Sequence, residues 1–202
     1  MTEARIGPNA IIQVAEAIRP RAGIARLEEV MQKAGLAHYI AAPPCSMVPE
    51  DEVARLHRAV ASLIPAHEGE ALMREAGHNT ARYLLANRIP APAKAILKLL
   101  PAPLAARALL MAITRHAWTF AGSSRFSHSA RHPVHIRLEG SPLFATPECR
   151  NLAAAYFEAT FQTLFRELVS KRTRVASIHA AGNAKGADST EAACAFDLVW
   201  HS

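Results

Sequence analysis

Cysteine and aromatic residues are both scarce in this chain of 202 residues: there are three cysteines, and aromatics make up 6%. Three dispersed cysteines are too few for a disulfide framework, which favours a reducing compartment. The chain also lacks an apolar run of about 18 residues that would span a bilayer, and its N-terminus lacks the basic-then-apolar layout of a secretory signal. The sequence therefore predicts a soluble, cytoplasmic protein.

Nucleotide-binding signatures are also missing. There is no G-x-G-x-x-G between a strand and a helix and no P-loop, and the nine glycines are scattered. The residues thus give no support to a self-sufficient NADPH-dependent enzyme. No G-x-S-x-G elbow and no Cys/His/Asp order indicates acyl transfer either.

Clustered positive charge is absent as well, although the formal net charge is +6 and the pI about 9.7. No run of five or six Lys/Arg occurs, which disfavours nucleic acid as a partner. The overall balance suits an anionic lipid surface or a carboxylated small molecule.

Helices with small side chains are expected to dominate, because alanine is abundant and half the residues are apolar. Helical spacing of apolar residues predicts helices at about 8–19, 22–35, 50–64, 68–90, 93–100, 103–117 and 147–169. Alternation predicts strands within 116–129, 132–140, 173–180 and 193–200. This order indicates one α+β domain over 1–202: a helical part (1–117) packed on a four-stranded antiparallel sheet carried by 118–202.

The Pro-interrupted stretch 91–117 has two interpretations. The preferred one is a buried helical hairpin. The other is a surface that docks on a membrane, because basic residues flank the apolar ones, namely Lys94, Lys98, Arg107 and Arg115.

Four histidines fall within twenty residues and are interleaved with aromatic residues. On a strand, His116, Trp118 and Phe120 would share one side. An aromatic wall with a neutral imidazole is suited to a flat macrocycle with a central magnesium ion, although exposed histidines on the solvent side of a sheet are the simpler interpretation. The candidate ligand-binding residues are Trp118, Phe120, Phe126 and His128, beside His132 and His135, with Arg82 and Arg125 as partners for a carboxylate.

Cys149, His179 and Cys194 are candidate zinc ligands. Thiolate and imidazole both bind zinc, and a hairpin could bring His179 close to Cys194. Glu148 or Glu191 could complete the site. The tight C-x₂-C spacing of a strong zinc signature is absent, so two buried cysteines and a surface histidine are the alternative.

Three stretches resemble the bacteriochlorophyll 4-vinyl reductase family, in the expected order and over nearly the whole chain. They are RIGPNAIIQVAEAI (5–18), REAGHNTARYLLANRIP (74–90), and the ending with Cys149 before a helix and Cys194-Ala195-Phe196 in the last strand. A related domain is a ligand sensor in aromatic-responsive transcription activators, and its fold resembles vesicle-trafficking (TRAPP) subunits. The resemblance implies a helical layer against a four-stranded antiparallel sheet.

The resemblance also implies a zinc site. In the sensor relatives three cysteines and a glutamate hold the metal. Cys149 and Cys194 match the first and last cysteine, and His179 falls near the middle one. The glutamate position corresponds to Ala176 or Ser177, which is a departure from that pattern.

The implied role lies in making bacteriochlorophyll, where the 8-vinyl group of a divinyl chlorophyllide is reduced to ethyl. The main expectation is an accessory or carrier protein that holds a magnesium tetrapyrrole between helices and sheet, at or near the photosynthetic membrane. One alternative is a true reductase, with His116 or His135 as proton donor and electrons from NADPH or a partner. Another is a regulatory module that assembles with an enzyme such as the magnesium chelatase. Related folds pair through their helices, so a homodimer is a further expectation.

Overall fold

Helices dominate the first half of the chain, and the main sheet forms in the second half. The computed structural model describes residues 3–129, 131–178 and 193–200. The helices are α1 (Asn9–Lys33), α2 (His38–Ala41), α3 (Glu50–Leu63), α4 (Ala66–Asn87), α5 (Ala91–Leu99), α6 (Ala102–Arg115) and α7 (Pro147–Leu168). The strands are β1 (Arg5–Ile6), β2 (Val48–Pro49), β3 (Arg125–His128), β4 (Val134–Glu139), β5 (Arg174–Ile178) and β6 (Ala193–Val199), with 3₁₀ turns at Ala117–Thr119 and Pro142–Phe144.

The main sheet has the order β3-β4-β6-β5, with every neighbouring pair antiparallel. Side chains alternate along β4, so that Val134, Ile136 and Leu138 are buried and the residues between them face outward. Helix α7 contacts β5 and β6 and covers the inner face. The predicted α+β fold with a four-stranded antiparallel sheet is confirmed. Among the described residues, no helix combines the length and the apolar character needed to cross a bilayer.

Helix α1 joins the two helices that the sequence predicts at 8–19 and 22–35. Its backbone departs from helical angles at Gly23, where φ is +83°, three residues after Pro20. Glycine adopts this conformation without steric strain, and proline removes a helical hydrogen bond. The two predicted helices are therefore the two halves of α1.

The predicted strand at 116–129 is wrong for its first nine residues. His116 ends α6, its backbone N–H donating to the carbonyls of Ala112 and Ile113, and residues 117–119 form a 3₁₀ turn. Gly122 then turns the chain with φ of +58°. His116, Trp118 and Phe120 therefore do not share one side of a strand.

The preferred interpretation of 91–117 as a buried hairpin is wrong for the first of its two helices. Helix α5 contains no buried residue, whereas α6 buries one face. Proline residues at each end of α5 allow it to form as a separate short helix on the surface.

A buried carboxylate connects the helical part to the sheet. Glu50, the first residue of α3, accepts hydrogen bonds from the backbone N–H of Ser123 at 2.9 Å and from the hydroxyl of Ser141 at 2.6 Å. Ser123 precedes β3 and Ser141 follows β4. A Cβ atom on Gly122 would lie only 2.6 Å from Cδ of Glu50, so glycine is required there by both space and conformation.

Helices α4 and α7 approach very closely at Gly77. A Cβ atom at this position would lie 2.2 Å from the carbonyl oxygen of Tyr156. Beside it, the hydroxyls of Thr80 and Tyr156 are 2.7 Å apart, and the Thr160 hydroxyl donates to the Gly77 carbonyl at 3.2 Å. The stretch 74–90, one of those on which the family resemblance rests, therefore contributes Gly77 and Thr80 to the contact between α4 and α7.

We expect Gly77→Ala to destabilise the protein by about 2–3 kcal/mol, because the added methyl group meets backbone that cannot yield. Urea unfolding followed by circular dichroism measures the change. Gly69→Ala on the same helix is the matched control, since its Cβ would meet only side-chain ends, those of Leu152 at 3.1 Å and Val60 at 3.7 Å. The control should stay within about 1 kcal/mol of wild type, and equal effects of the two substitutions would contradict the close approach.

His57 of α3 is fully buried, and its Nδ1 has no hydrogen-bond partner among the described residues. Burial lowers the pKa of His57 from 6.5 to about 4, because the charged imidazolium would lose its hydration. The unfolded chain thus binds the proton more tightly than the folded chain.

We therefore expect the free energy of unfolding to fall as the pH falls from about 6.5 to about 4, with His57 contributing up to about 3 kcal/mol of that loss. Above that window His57 is neutral in both states and contributes nothing. Urea unfolding at a series of pH values should show a shallower slope for His57→Leu than for wild type. His67→Leu, at a side chain that is 84% exposed, should keep the wild-type slope.

Candidate functional site

A cavity of about 470 Å³ lies between α6 and one end of the main sheet. Its floor is apolar and buried, and consists of Ala106, Leu110, Val134 and Trp200. Its rim is exposed, and consists of Pro103, Arg107, Met111, Thr114, Arg115, His128 and His132. The volume falls in the range of small-molecule sites, and none of the lining residues is acidic.

Helix α6 supplies both a wall and a charged edge to this cavity. Ala106 and Leu110 lie one turn apart and point inward, while Arg107 and Arg115 reach the rim. These two arginines are eight residues apart, which places them about 12 Å apart along the helix axis. Neither makes an ion pair with a carboxylate of the described part of the chain, so both are available to an anionic ligand.

The opposite wall is fixed by Trp200 and His132. The backbone N–H of Trp200 donates to Nε2 of His132 at 3.2 Å, and the two rings meet edge to face with centroids 4.5 Å apart. The Trp200 ring also stacks on Phe165. Because Nε2 accepts this hydrogen bond, the neutral His132 ring carries its proton on Nδ1.

His128 is the same tautomer as His132, but its hydrogen bond is made by the other ring nitrogen. Its Nδ1 lies 3.0 Å from the carbonyl oxygen of Ser129. A carbonyl only accepts, so Nδ1 carries the proton and Nε2 keeps its lone pair. Of the two rim histidines, His128 is the one whose Nε2 makes no hydrogen bond to a described residue and can bind a ligand.

Comparison with known proteins identifies the family. No family model matches the sequence. The chain is 37% identical over 195 residues to the bacteriochlorophyll synthase 23 kDa chain of Cereibacter sphaeroides, covering 96% of this chain and 90% of that protein. It is 38% identical over 184 residues to the protein of the same name from Rhodobacter capsulatus, covering 91% and 84%. This chain belongs to the family of bacteriochlorophyll synthase 23 kDa chains. The relationship confirms the family resemblance predicted from the sequence.

The fold has a counterpart among solved structures. An Fe(II) unliganded H-NOX protein variant from K. algicida superposes with a TM-score of 0.58, covering 98% of this chain and 97% of that chain. Sequence identity is 9%, so the similarity concerns the fold alone.

Of the aromatic residues predicted to bind a ligand, none lines the cavity. Phe120 is half-buried and packs against the core, with its ring centroid 5.7 Å from that of Phe126 and 6.3 Å from that of Phe157. Phe126 continues this cluster to His128, at 6.1 Å. Trp118 lies in the 3₁₀ turn after α6 and is 61% exposed. The aromatic residue on the cavity is instead Trp200, which the sequence offers only as the end of an alternating strand.

The predicted arginine partners also lie elsewhere. Arg82 is on α4, bonded to the side chain of Asn79, and Arg125 pairs with Glu139 at 3.6 Å. The cavity uses Arg107 and Arg115, which the sequence marks only as basic residues flanking an apolar stretch.

The two candidate proton donors lie on different elements, and neither lines the cavity. His116 ends α6 and is exposed. His135 lies on the outer face of β4, where its Nδ1 bonds the carboxylate of Asp197 on β6. The cavity is lined by Val134, on the inner face, so the two histidines do not meet there.

Two of the three predicted zinc ligands lie in the described part of the chain. Cys149, in the first turn of α7, and Cys194, in β6, are both buried, and Sγ of Cys194 lies 3.6 Å from the carbonyl oxygen of Arg150. Burial raises the pKa of the Cys194 thiol to about 12, which keeps it protonated. His179 lies outside the described residues. Within the described part of the chain, no three metal-binding side chains come together, so these residues alone do not form a zinc site.

Elemental analysis decides this prediction. A site formed by Cys149, His179 and Cys194 should hold about one equivalent of zinc in protein purified without chelators, and Cys194→Ser should lose it. Cys45→Ser, at an exposed cysteine, is the control and should retain the metal. Less than about a tenth of an equivalent in wild type would contradict the site.

Proposed function

We propose that this chain serves bacteriochlorophyll synthesis by holding a magnesium tetrapyrrole, such as a divinyl chlorophyllide, in the cavity between α6 and the sheet. The name of its relatives supports the pathway. The observation that supports the ligand class is the cavity itself, with an apolar floor, two histidines on the rim and two arginines that pair with no carboxylate of the described residues.

The floor and the rim match different parts of such a pigment. The planar macrocycle is apolar, and each Å² that it buries against Leu110, Val134 and Trp200 contributes roughly 25 cal/mol. Its carboxylate would lose hydration on entry and therefore needs a cation. Arg107 or Arg115 provides a charge-assisted hydrogen bond at the rim.

His128 suits the central magnesium. In a magnesium tetrapyrrole four ligand positions belong to the ring, which leaves an axial position for one nitrogen or water. The free lone pair on Nε2 of His128 supplies that nitrogen, and the Ser129 carbonyl holds the ring in the required tautomer. His132 does not offer its Nε2, because the Trp200 amide occupies it.

This arrangement favours an accessory or carrier role over catalysis. Vinyl reduction needs a hydride or electrons and a proton donor. His135 is on the outer face of the sheet and His116 is at the end of α6, so neither candidate donor lines the cavity. The vinyl reductase activity, the sensor role and assembly with the magnesium chelatase stay predictions.

An absorbance titration of divinyl protochlorophyllide with the purified protein tests the proposal. We expect a saturating shift of the Soret band and unchanged pigment on extraction, with or without NADPH. Arg107→Gln and Arg115→Gln should each be tested for weaker pigment binding. The variant that removes the arginine bound to the carboxylate should bind about tenfold more weakly, because a charge-assisted hydrogen bond is lost. Arg82→Gln is the matched control, since Arg82 is equally exposed but on α4, and should bind as wild type.

The variants also separate the alternatives. If Arg82→Gln weakens binding and the two α6 variants do not, the ligand does not use this cavity. His128→Ala should lower affinity for the magnesium pigment while leaving the metal-free pigment bound as before, and His132→Ala should not reproduce that selectivity. Conversion of extracted pigment to the monovinyl form in the presence of NADPH would show an enzyme and overturn the carrier role.

A further inference from the structure

Positive charge is segregated along this chain. Residues 76–138 contain nine Lys/Arg and no Asp/Glu, whereas the rest of the chain contains 14 basic and 17 acidic residues. The segment comprises most of α4, all of α5 and α6, β3 and most of β4. The net charge of +6 therefore arises entirely from one segment, although no short run of basic residues reveals it.

Large apolar side chains are exposed in the same segment. Seven large hydrophobic residues are exposed in the described chain, and five of them are exposed by 52–86% on α5, α6 and the turn that follows. Leu99, at the corner between α5 and α6, is 86% exposed. We call these five residues the apolar patch: Ile96, Leu99, Leu104, Met111 and Trp118.

The patch lies beside basic side chains with few internal partners. Leu104 and Met111 are seven residues apart on one stripe of α6, and Arg107 and Arg115 lie close to that stripe. Lys98, on α5, has one ion-pair partner among the described residues, the exposed Glu167 at 3.7 Å. Apolar residues framed by Lys and Arg, with a tryptophan, are the composition of surfaces that insert shallowly between lipid headgroups.

We propose that the patch docks this protein on an anionic lipid surface. The apolar side chains would enter the boundary between headgroups and acyl chains, and the surrounding arginines and lysines would contact the lipid phosphates. Charge selects this occupant: a second copy would bring positive charge against positive charge. Nucleic acid would satisfy the charge but would leave Ile96, Leu99 and Leu104 without an apolar partner.

Flotation with lipid vesicles and no pigment tests the docking independently of the proposed function. We expect the full chain to bind vesicles of equimolar phosphatidylglycerol and phosphatidylcholine at least about tenfold more strongly than pure phosphatidylcholine, and high salt to reduce that binding. The triple variant Ile96→Ser, Leu99→Ser, Leu104→Ser should bind the anionic vesicles at least about tenfold more weakly. None of its three positions lines the cavity.

The matched control carries Ile24→Ser and Ile178→Ser, the two remaining exposed large hydrophobic residues. It should bind vesicles as wild type. Circular dichroism and thermal unfolding establish that both variants fold. Equal vesicle binding by the triple variant and wild type, or no binding by wild type, would overturn the proposal. Two further results would overturn the proposal. One is self-association of the wild type without vesicles that the triple variant abolishes, and the other is complete displacement of the wild type from vesicles by duplex DNA.

Discussion

The carboxylate of Glu50 is the constraint on which the arrangement of helices and sheet depends. A carboxylate removed from water must be hydrogen-bonded, and its two donors, from Ser123 and Ser141, stand at the open end of the β3–β4 hairpin. This anchors the hairpin against the start of α3, with Gly122 fitting closely over the carboxylate. The other end of the hairpin then reaches α6 and brings His128 and His132 to the rim of the cavity. The cavity thus lies at the end of the hairpin opposite the one that Glu50 anchors.

Much of the fold could be predicted because most elements follow a simple period. Amphipathic spacing gives α3, α4 and α7 to within about three residues, and alternation gives β4 and β6. The strand predicted to begin at His116 is wrong, because small and aromatic residues alternate there in the sequence as they would in a strand. In the structure the same residues form a helix end and a 3₁₀ turn. Composition predicts a buried α5, but the exposure of a helix depends on what packs over it, and no period in the sequence contains that information.

The cavity was harder to predict for two reasons. Its lining residues are distant from one another in the sequence, and the hydrogen bonds of its histidines depend on the exact position of single backbone groups. Trp200 and His132 are 68 residues apart, and only the antiparallel pairing of β4 with β6 brings them together. Which nitrogen of His128 is free depends on a single carbonyl, that of Ser129. The most family-like stretch, at 74–90, proved to serve helix packing through Gly77 and Thr80. A stretch that resembles a family can therefore identify the fold without lining the cavity.

Helix α6 links the two proposals physically. Its inner face gives Ala106 and Leu110 to the cavity floor, and its outer stripe gives Leu104 and Met111 to the apolar patch, with Met111 on the rim of the cavity as well. A tetrapyrrole with an apolar ring and a carboxylate concentrates in a bilayer, because its ring leaves water while its charge stays among the headgroups. A protein docked through this patch would hold the mouth of its cavity beside that layer. The ring could then pass from lipid to floor without crossing water, and Arg107 and Arg115 would replace the headgroup region as the environment of the carboxylate. Pigment capture on this view needs one helix with two apolar faces and a basic edge between them, and α6 has this combination.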